Sequence, residues 1–190
     1  MVSIREARIL IMATDGFEQS ELQTPLTRLR AAGAKVEVAA PEGASEIKGW
    51  QDKNWGAKVP VDLEIAAVEV DDYDALVLPG GQMNPDILRM NDDAVALVQD
   101  FLDAGKIVAA ICHAPWLLIE ADVVDGKNLT SWPSVRTDIE NAGGEWIDRE
   151  VVVDGGLITS RSPKDLDAFV AAIIEQIESE GVEDEESPKA

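Results

Sequence analysis

A cysteine and a histidine stand side by side at positions 112 and 113, and each is the single residue of its type in the 190-residue chain. An apolar segment rich in β-branched residues, 107–111, precedes the pair, and Pro115 follows where a helix would begin. The pattern predicts that Cys112 lies on a turn from a strand into a helix. At such a turn, unpaired N–H groups and the positive end of the helix dipole favour a thiolate.

Each of the two residues also has a structural interpretation. A free cysteine usually packs as a small hydrophobic residue, and a lone histidine is usually a hydrogen-bonded structural residue. Their adjacency at the carboxyl end of a predicted strand favours chemistry: Cys112 as a nucleophile and His113 as the source of any imidazole catalysis.

Apolar strands alternate with helical patterns along the chain. Buried strands are predicted at 8–13, 35–40, 74–79 and 106–111, and helices at 18–32, 92–104, 113–121, 134–142 and 163–177. Residues 43–72 indicate a short antiparallel excursion, and 151–160 a hairpin that turns at 154–156. This alternation predicts an α/β fold with a mostly parallel sheet covered on both faces. We expect one domain over 1–179 and a disordered acidic tail over 180–190.

In such folds ligands bind beyond the carboxyl ends of the strands, where three loops carry polar groups: 14–21, 79–86 and the 112–113 turn. With the first strand beside the cysteine strand, Glu18 would reach the thiol, hydrogen-bond to sulfur and shuttle protons. Its structural alternative is an acid that interacts with the helix dipole. Gly80 and Gly81 form either a tight turn or a close backbone approach, in which the Gly81 and His113 amides make an oxyanion hole.

The formal net charge of −21, from 37 acidic and 16 basic residues, argues against binding to nucleic acids or anionic membranes. We hypothesise a host with a high-salt cytoplasm, where screening relieves the self-repulsion; the alternative is an ordinary acidic protein with a solvated surface. No signal-peptide pattern or membrane-spanning apolar run is present, so we expect a cytoplasmic protein. One cysteine and one histidine cannot form a soft-ligand structural zinc site, and no metal is expected.

Four segments together resemble the DJ-1/PfpI superfamily, in its PfpI-like intracellular protease and general stress protein branch. They are Asp-Gly-Phe-Glu-Gln-Ser-Glu-Leu at 15–22, Ala-Leu-Val-Leu-Pro-Gly-Gly at 75–81, Ala-Ile-Cys-His-Ala-Pro-Trp-Leu-Leu at 110–118 and Glu-Val-Val-Val-Asp-Gly-Gly-Leu-Ile-Thr-Ser-Arg at 150–161. The resemblance implies a flavodoxin-like three-layer sandwich related to class I glutamine amidotransferase domains. It implies Cys112 as nucleophile, Glu18 as its carboxyl partner and His113 as the adjacent imidazole, in a homodimer or a hexamer built as a trimer of dimers.

The chain departs from the family pattern at two places. The His-Gly-Pro of many members is His-Ala-Pro at 113–115, a small steric change that should leave the turn intact. In protease-like members an acid of a neighbouring subunit orients the histidine, and the matching position is Asp86. Aspartate is one methylene shorter than glutamate, and a misplacement near 1 Å can cost about a hundredfold in rate, so we expect weakened peptidase activity.

The resemblance implies a glyoxalase III-like or deglycase activity on reactive carbonyls such as methylglyoxal, or on their protein adducts, without an external cofactor. Cys112 would form a hemithioacetal, Glu18 with His113 would move a proton between the two carbons, and water would release lactate from a thioester. Two alternatives stay open. One is an ATP-independent cysteine peptidase acting on peptides through Cys112, and the other is a non-enzymatic holdase that senses oxidation of the thiol.

Overall fold

The computed structural model describes residues 3–183 of the chain, the last four as helical backbone. The strands of this part are β1 Arg8–Met12, β2 Lys35–Ala40, β3 Glu46–Gln51, β4 Asn54–Pro60, β5 Leu63–Glu64, β6 Ala75–Leu78, β7 Ile107–Ile111, β8 Asn128–Leu129, β9 Glu145–Trp146, β10 Val151–Asp154 and β11 Leu157–Ser160. Its α-helices are α1 Gln19–Ala32, α2 Met83–Leu88, α3 Asp92–Asp103, α4 Pro115–Glu120, α5 Arg136–Asn141 and α6 Leu166–Glu183. Short 3₁₀ turns occur at Ile65–Ala67, Val70–Asp72, Pro133–Val135 and Pro163–Asp165.

Seven strands form the central sheet, in the order β10-β11-β7-β6-β1-β2-β5. All neighbours in this sheet are parallel except β10 and β11, which form the predicted hairpin. The central strands are buried on both faces, as their continuous apolar sequences predict. The predicted α/β class with a mostly parallel sheet flanked by helices is therefore confirmed.

Two apolar layers cover the sheet because side chains alternate between its faces. Ile9 and Ile11 of β1 pack in the layer that also holds apolar residues of α1 and α6, whereas Leu10 and Met12 pack in the layer of α3 and α4. Helix α1 ends at Gly33, whose φ of +111° is the left-handed conformation that glycine adopts without strain. The helices thus form the outer layers of a three-layer sandwich.

The predicted antiparallel excursion is a β3–β4 hairpin beside the start of α1. Backbone hydrogen bonds attach it there: the Gly16 N–H donates to the Lys48 carbonyl at 2.8 Å, and the Trp50 N–H donates to the Phe17 carbonyl at 2.7 Å. The hairpin therefore brings Trp50 to the carboxyl end of the sheet, next to the loop that follows β1.

Strand β1 does not lie beside β7, because β6 pairs with both and separates them. The adjacency on which the prediction for Glu18 depends is therefore absent. In addition, residues 83–86 of the predicted loop 79–86 belong to a short helix, α2, that the sequence pattern did not indicate.

Among the described residues, no helix combines the length and the apolar character needed to cross a membrane. The predicted acidic tail, 180–190, falls mostly outside the described residues, although α6 continues through Glu183.

Candidate active site

Cys112 lies between the end of β7 and the start of α4, with a φ of +66°. A non-glycine residue in this left-handed region costs about 1–3 kcal/mol, so the surrounding structure must hold it there. The Cys112 N–H donates to the Ser160 carbonyl at 3.0 Å, and the Cys112 carbonyl accepts from the Trp132 N–H at 2.9 Å. The predicted strand-to-helix turn at the cysteine is thus formed, and it is strained.

Gly80 lets the loop after β6 pass directly against this turn. A Cβ at Gly80 would lie 2.6 Å from the Cys112 Cβ and 2.7 Å from the Ile111 carbonyl oxygen, distances that no side chain tolerates. The backbone N–H groups of Gly81 and His113 both hydrogen-bond to the thiol and lower its pKa. Thus the two amides predicted to form an oxyanion hole lie together at the sulfur, on two different loops.

Glu21 is the carboxylic acid at the thiol. Its side chain, in the first turn of α1, is completely buried. Oε2 accepts a hydrogen bond from the Gly80 N–H at 2.9 Å, while Oε1 is buried without a well-aligned partner in the described part of the chain. The carboxyl also interacts with the Cys112 side chain. Burial, followed by the charge of Glu18, raises the pKa of Glu21 to about 8, so at neutral pH it is mostly protonated and can donate a proton from Oε1.

The pKa of the Cys112 thiol lies well above its ordinary value. Burial is the largest cause, and the charge of the nearby Glu21 also raises the pKa. Together these two effects are larger than the lowering by the two amide donors. Two acidic groups this close do not both ionise easily, so they titrate as a pair. A sulfur in this setting needs a base to take its proton as it reacts.

Glu18 lines the same pocket but occupies a different place from the one predicted. It is the residue just before α1, and its Oε1 accepts a hydrogen bond from the Ser20 hydroxyl at 3.2 Å. Burial raises the pKa of Glu18 as well. Glu21 is one helical turn further along, and this difference decides which carboxyl reaches the sulfur.

A sequence signal for Glu21 exists in the pattern of α1. The buried positions of this helix include Glu21, Leu22, Pro25 and Leu29, so the acid falls on the apolar face at helical spacing. A carboxyl on the core face of a helix is costly unless it has a function or a partner. An acid on the apolar face of α1 is therefore the sequence feature that points to Glu21, whereas closeness to the end of β1 points to Glu18.

His113 contacts the cysteine directly: its Nδ1 lies 3.2 Å from the Cys112 Sγ. Its Nε2 lies 3.5 Å from the Ser134 hydroxyl, and the ring stacks on Trp132 with centroids 5.9 Å apart. Trp116 packs edge-on against the same imidazole ring, with centroids 5.1 Å apart. Burial lowers the pKa of His113, so the imidazole is neutral at neutral pH and can accept a proton.

Asp86 is exposed on α2. Within the described chain it is not a partner of His113, whose two ring nitrogens face Cys112 and Ser134. The predicted contact would come from a second subunit, so it stays a prediction.

A pocket of about 470 Å³ opens above these groups. Its wall is mostly apolar, and the residues that line it are Glu18, Glu21, Trp50, Gly81, Gln82, Met83, Cys112, His113, Trp132 and Pro163. A buried thiol, a neutral imidazole and a protonated carboxyl therefore share one pocket large enough for a small molecule or a side chain.

Residues 7–176 match the DJ-1/PfpI family. The chain belongs to the DJ-1/PfpI family. It is 45% identical to Deglycase TK1284 of Thermococcus kodakarensis over 167 residues, and the aligned region covers 88% of this chain and 97% of the relative. It is 40% identical over 162 residues to the putative cysteine protease YraA of Bacillus subtilis, with 85% and 93% covered. The crystal structure of Drosophila melanogaster DJ-1beta superposes with a TM-score of 0.81 at 32% identity, over 91% of this chain and 94% of that one. The resemblance inferred from the four segments is therefore confirmed, and this DJ-1/PfpI member has relatives named for two different activities.

Proposed function

We propose that this DJ-1/PfpI member is a cysteine-dependent enzyme that converts reactive dicarbonyl compounds such as methylglyoxal, free or as adducts of proteins, into hydroxy acids. The observation that carries the proposal is the contact of Cys112 with both His113 and the protonated Glu21. The reaction needs a nucleophile, a base and an acid at one carbonyl, and these three groups supply them. A relative that is 45% identical is named a deglycase, which supports the same activity.

In the first step, His113 Nδ1 accepts the thiol proton while Cys112 Sγ bonds to the aldehyde carbon of methylglyoxal. Glu21 gives its proton to the resulting alkoxide, which completes a hemithioacetal. The N–H groups of Gly81 and His113 face the sulfur and lie within reach of the charge that develops beside it.

In the second step, the Glu21 carboxylate removes the hydrogen of the former aldehyde carbon as a proton, and the C–H electrons form a carbon–carbon double bond. The ketone oxygen takes the proton of the His113 imidazolium, which gives an enediol. Glu21 returns its proton to the second carbon and His113 takes the proton of the first hydroxyl, so a thioester of lactate results.

In the last step, water attacks the thioester carbonyl and loses a proton to Glu21, while the Cys112 sulfur leaves with the proton held by His113. Methylglyoxal and water have become lactic acid, and each catalytic group has its original protonation. An adduct of methylglyoxal on a protein thiol or amine first loses its hydroxyl proton and breaks its C–S or C–N bond. It thereby releases the protonated protein group and leaves the aldehyde for Cys112.

The test is lactate formation from methylglyoxal by the wild type and by Cys112→Ala, Glu21→Gln and Glu18→Gln variants. We expect Cys112→Ala to form no lactate, and Glu21→Gln to lose about 100-fold or more in kcat/KM because it cannot exchange a proton. Glu18→Gln should retain more activity than Glu21→Gln. Lactate formation by Cys112→Ala at the wild-type rate would refute the proposal.

The peptidase is the second candidate, and the 40% identity to a relative named a putative cysteine protease favours it. In the described chain His113 has Ser134 rather than a carboxylate at Nε2, so a peptidase would depend on Asp86 of another subunit. The predicted homodimer or hexamer thus becomes a requirement of that activity, and cleavage of a fluorogenic peptide by the assembled protein tests it.

The redox-holdase alternative has less support. It requires an accessible thiol of low pKa, whereas Cys112 is 6% exposed and burial raises the pKa of its thiol.

A further inference from the structure

The described residues that line the pocket above Cys112 include acidic side chains and no basic ones. The acids are Glu18 and Glu21, and no lysine or arginine is among these described lining residues. Glu21 is buried against the sulfur, whereas Glu18 lies at the wall and is partly accessible. Because the wall is otherwise mostly apolar, the Glu18 charge is weakly screened there.

Two basic side chains of this region, Arg28 and Arg161, are paired with carboxylates, and a third, Lys48, lies over the ring of Trp55 at 5.6 Å. Arg28, in the polar groove that adjoins the pocket at Glu18, forms an ion pair with Asp167 at 2.5 Å. Arg161 is held by Asp165 at 2.9 Å and by Asp148 at 2.8 Å. The charge of Glu18 is therefore not neutralised by either arginine.

Trp50 stands directly beside Glu18. The two residues form an isolated parallel β-bridge where the β3–β4 hairpin meets the loop after β1. The Trp50 ring is braced by Trp55, which packs edge-on with ring centroids 5.5 Å apart. A carboxylate and an indole are thus fixed next to each other in the pocket wall.

Trp132 adds a second indole to the same pocket. Its side chain is 41% exposed, although it stacks on His113 and its backbone N–H is bonded to the Cys112 carbonyl. An exposed tryptophan beside a nucleophile is positioned to contact substrate. Indole faces attract cations more strongly than the other aromatic side chains do, and a carboxylate beside them adds its own attraction for a positive charge.

We propose that Glu18, Trp50 and Trp132 form a cation-recognition corner, through which this pocket selects positively charged carbonyl adducts, those of protonated amines and guanidinium groups, over neutral and anionic ones. The inference rests on the proposed function and names its substrate class. Arginine adducts, and lysine adducts in their protonated form, carry a positive charge within a few bonds of the reacting carbon.

The test compares three methylglyoxal hemithioacetals with the same reacting group and different charge. Thiocholine gives a cation, 3,3-dimethylbutane-1-thiol gives its neutral isostere, and 3-mercaptopropionate gives an anion. We expect the wild type to prefer the cation over its isostere about fivefold or more in kcat/KM, which an indole and a carboxylate supply, and to use the anion least. Equal kcat/KM for the cation and its isostere would overturn the proposal.

Variants locate the preference. Glu18→Gln and Trp50→Leu should each reduce the ratio of kcat/KM for cation over isostere to about twofold or less, and Trp50→Phe should keep part of it. Glu42→Gln removes an exposed carboxylate outside the pocket and is the matched control for net charge; it should keep the wild-type ratio. A preference that Glu18→Gln and Trp50→Leu both leave intact, or that Glu42→Gln abolishes, would contradict a local corner.

A binding measurement separates this inference from the proposed function. Calorimetry with Cys112→Ala compares choline with its neutral isostere 3,3-dimethylbutanol, and neither compound reacts. Tighter binding of choline supports the corner even where no hemithioacetal is turned over, an outcome that would sink the proposed function alone. Equal affinity for the two alcohols, together with lactate formation by the wild type, would reject the corner and leave the proposed function standing.

Discussion

The Glu21 carboxyl lies against the Cys112 thiol in the interior of the protein, and its charge raises the pKa of the sulfur. The pKa of the Glu21 carboxyl is itself raised to about 8, so both Glu21 and Cys112 are mostly protonated at neutral pH. In many cysteine enzymes a preformed thiolate attacks the substrate. Here the thiol proton must leave during attack, which assigns His113 as base and Glu21 as acid in the proposed reaction.

The first prediction concerns the pH dependence of lactate formation. The reaction needs neutral His113 and protonated Glu21. Burial lowers the pKa of His113, so the acid limb, on which activity rises with pH, should lie below the ordinary range of histidine. Activity should fall as pH increases through about 8, where Glu21 loses its proton. A kcat/KM profile from pH 5 to 10 measures both limbs.

Glu18→Gln provides the control for that profile. The Glu18 charge helps to raise the pKa of Glu21, so its removal should move the alkaline limb to lower pH. A limb that stays in place, or moves to higher pH, would contradict the assignment of this limb to Glu21.

The second prediction concerns stability. The folded protein holds the Glu21 proton up to a pKa of about 8, whereas an unfolded glutamate loses it near 4.5. Between these values the folded state binds more protons, so the free energy of unfolding contributed by this group falls as pH rises. Glu21→Gln, which keeps an acceptor for the Gly80 N–H, should therefore be more stable than the wild type at pH 9 by about 2 kcal/mol or more.

Urea unfolding at pH 4.5 and pH 9 measures this difference. The two proteins should be much closer in stability at the lower pH, where the carboxyl is protonated in the folded state and about half protonated in the unfolded state. If Glu21→Gln is less stable than the wild type, and by the same amount at pH 9 as at pH 4.5, the raised pKa of Glu21 is contradicted.

Much of the fold could be predicted because its strands are short, continuous apolar runs bounded by clear breaks. The helix over 18–32 ends at Gly33 as expected, and the 151–160 hairpin forms as its turn residues indicate. The order of strands in a parallel sheet is set by helix crossovers and not by local sequence, so the position of β6 between β1 and β7 could not be seen.

The same limit explains the change from Glu18 to Glu21. Cys112 and His113 could be found because they are adjacent in the sequence, and a strand-to-helix turn is a local feature. The carboxyl partner comes from a helix more than 90 residues away, and which of two acids three positions apart reaches the sulfur depends on where α1 begins. The positions of Trp50 and Trp132 in the pocket likewise depend on tertiary contacts, so the sequence alone did not predict them.

The third prediction tests the close approach of the two loops at the nucleophile. Gly80→Ala would bring a methyl group to 2.6 Å from both the Cys112 Cβ and the Glu21 Oε2. The backbone must shift to relieve these contacts, so we expect a loss of about 1–3 kcal/mol in the free energy of unfolding. Lactate formation should fall about 100-fold, because displacements near 1 Å at a catalytic centre have effects of this size.

Gly155→Asn is the control for that substitution. Gly155 has a φ of +60°, which asparagine tolerates, and a Cβ there meets no atom within 4 Å. This variant should keep the wild-type rate of lactate formation and nearly the wild-type unfolding midpoint. Wild-type activity in Gly80→Ala would show that the loop is not constrained at the sulfur.

The fourth prediction concerns salt. A formal net charge of −21 on 190 residues repels itself in dilute solution, and salt at molar concentration shortens the range of that repulsion to about 3 Å. The hypothesis of a high-salt host therefore predicts that the thermal unfolding midpoint rises by about 5–10 °C between 0.05 M and 2 M KCl, an effect of roughly 2 kcal/mol. Differential scanning calorimetry in KCl and in NaCl measures it, and agreement between the two salts identifies screening rather than a specific ion site. A midpoint that does not change across the series would reject the hypothesis and leave an ordinary acidic protein with a solvated surface.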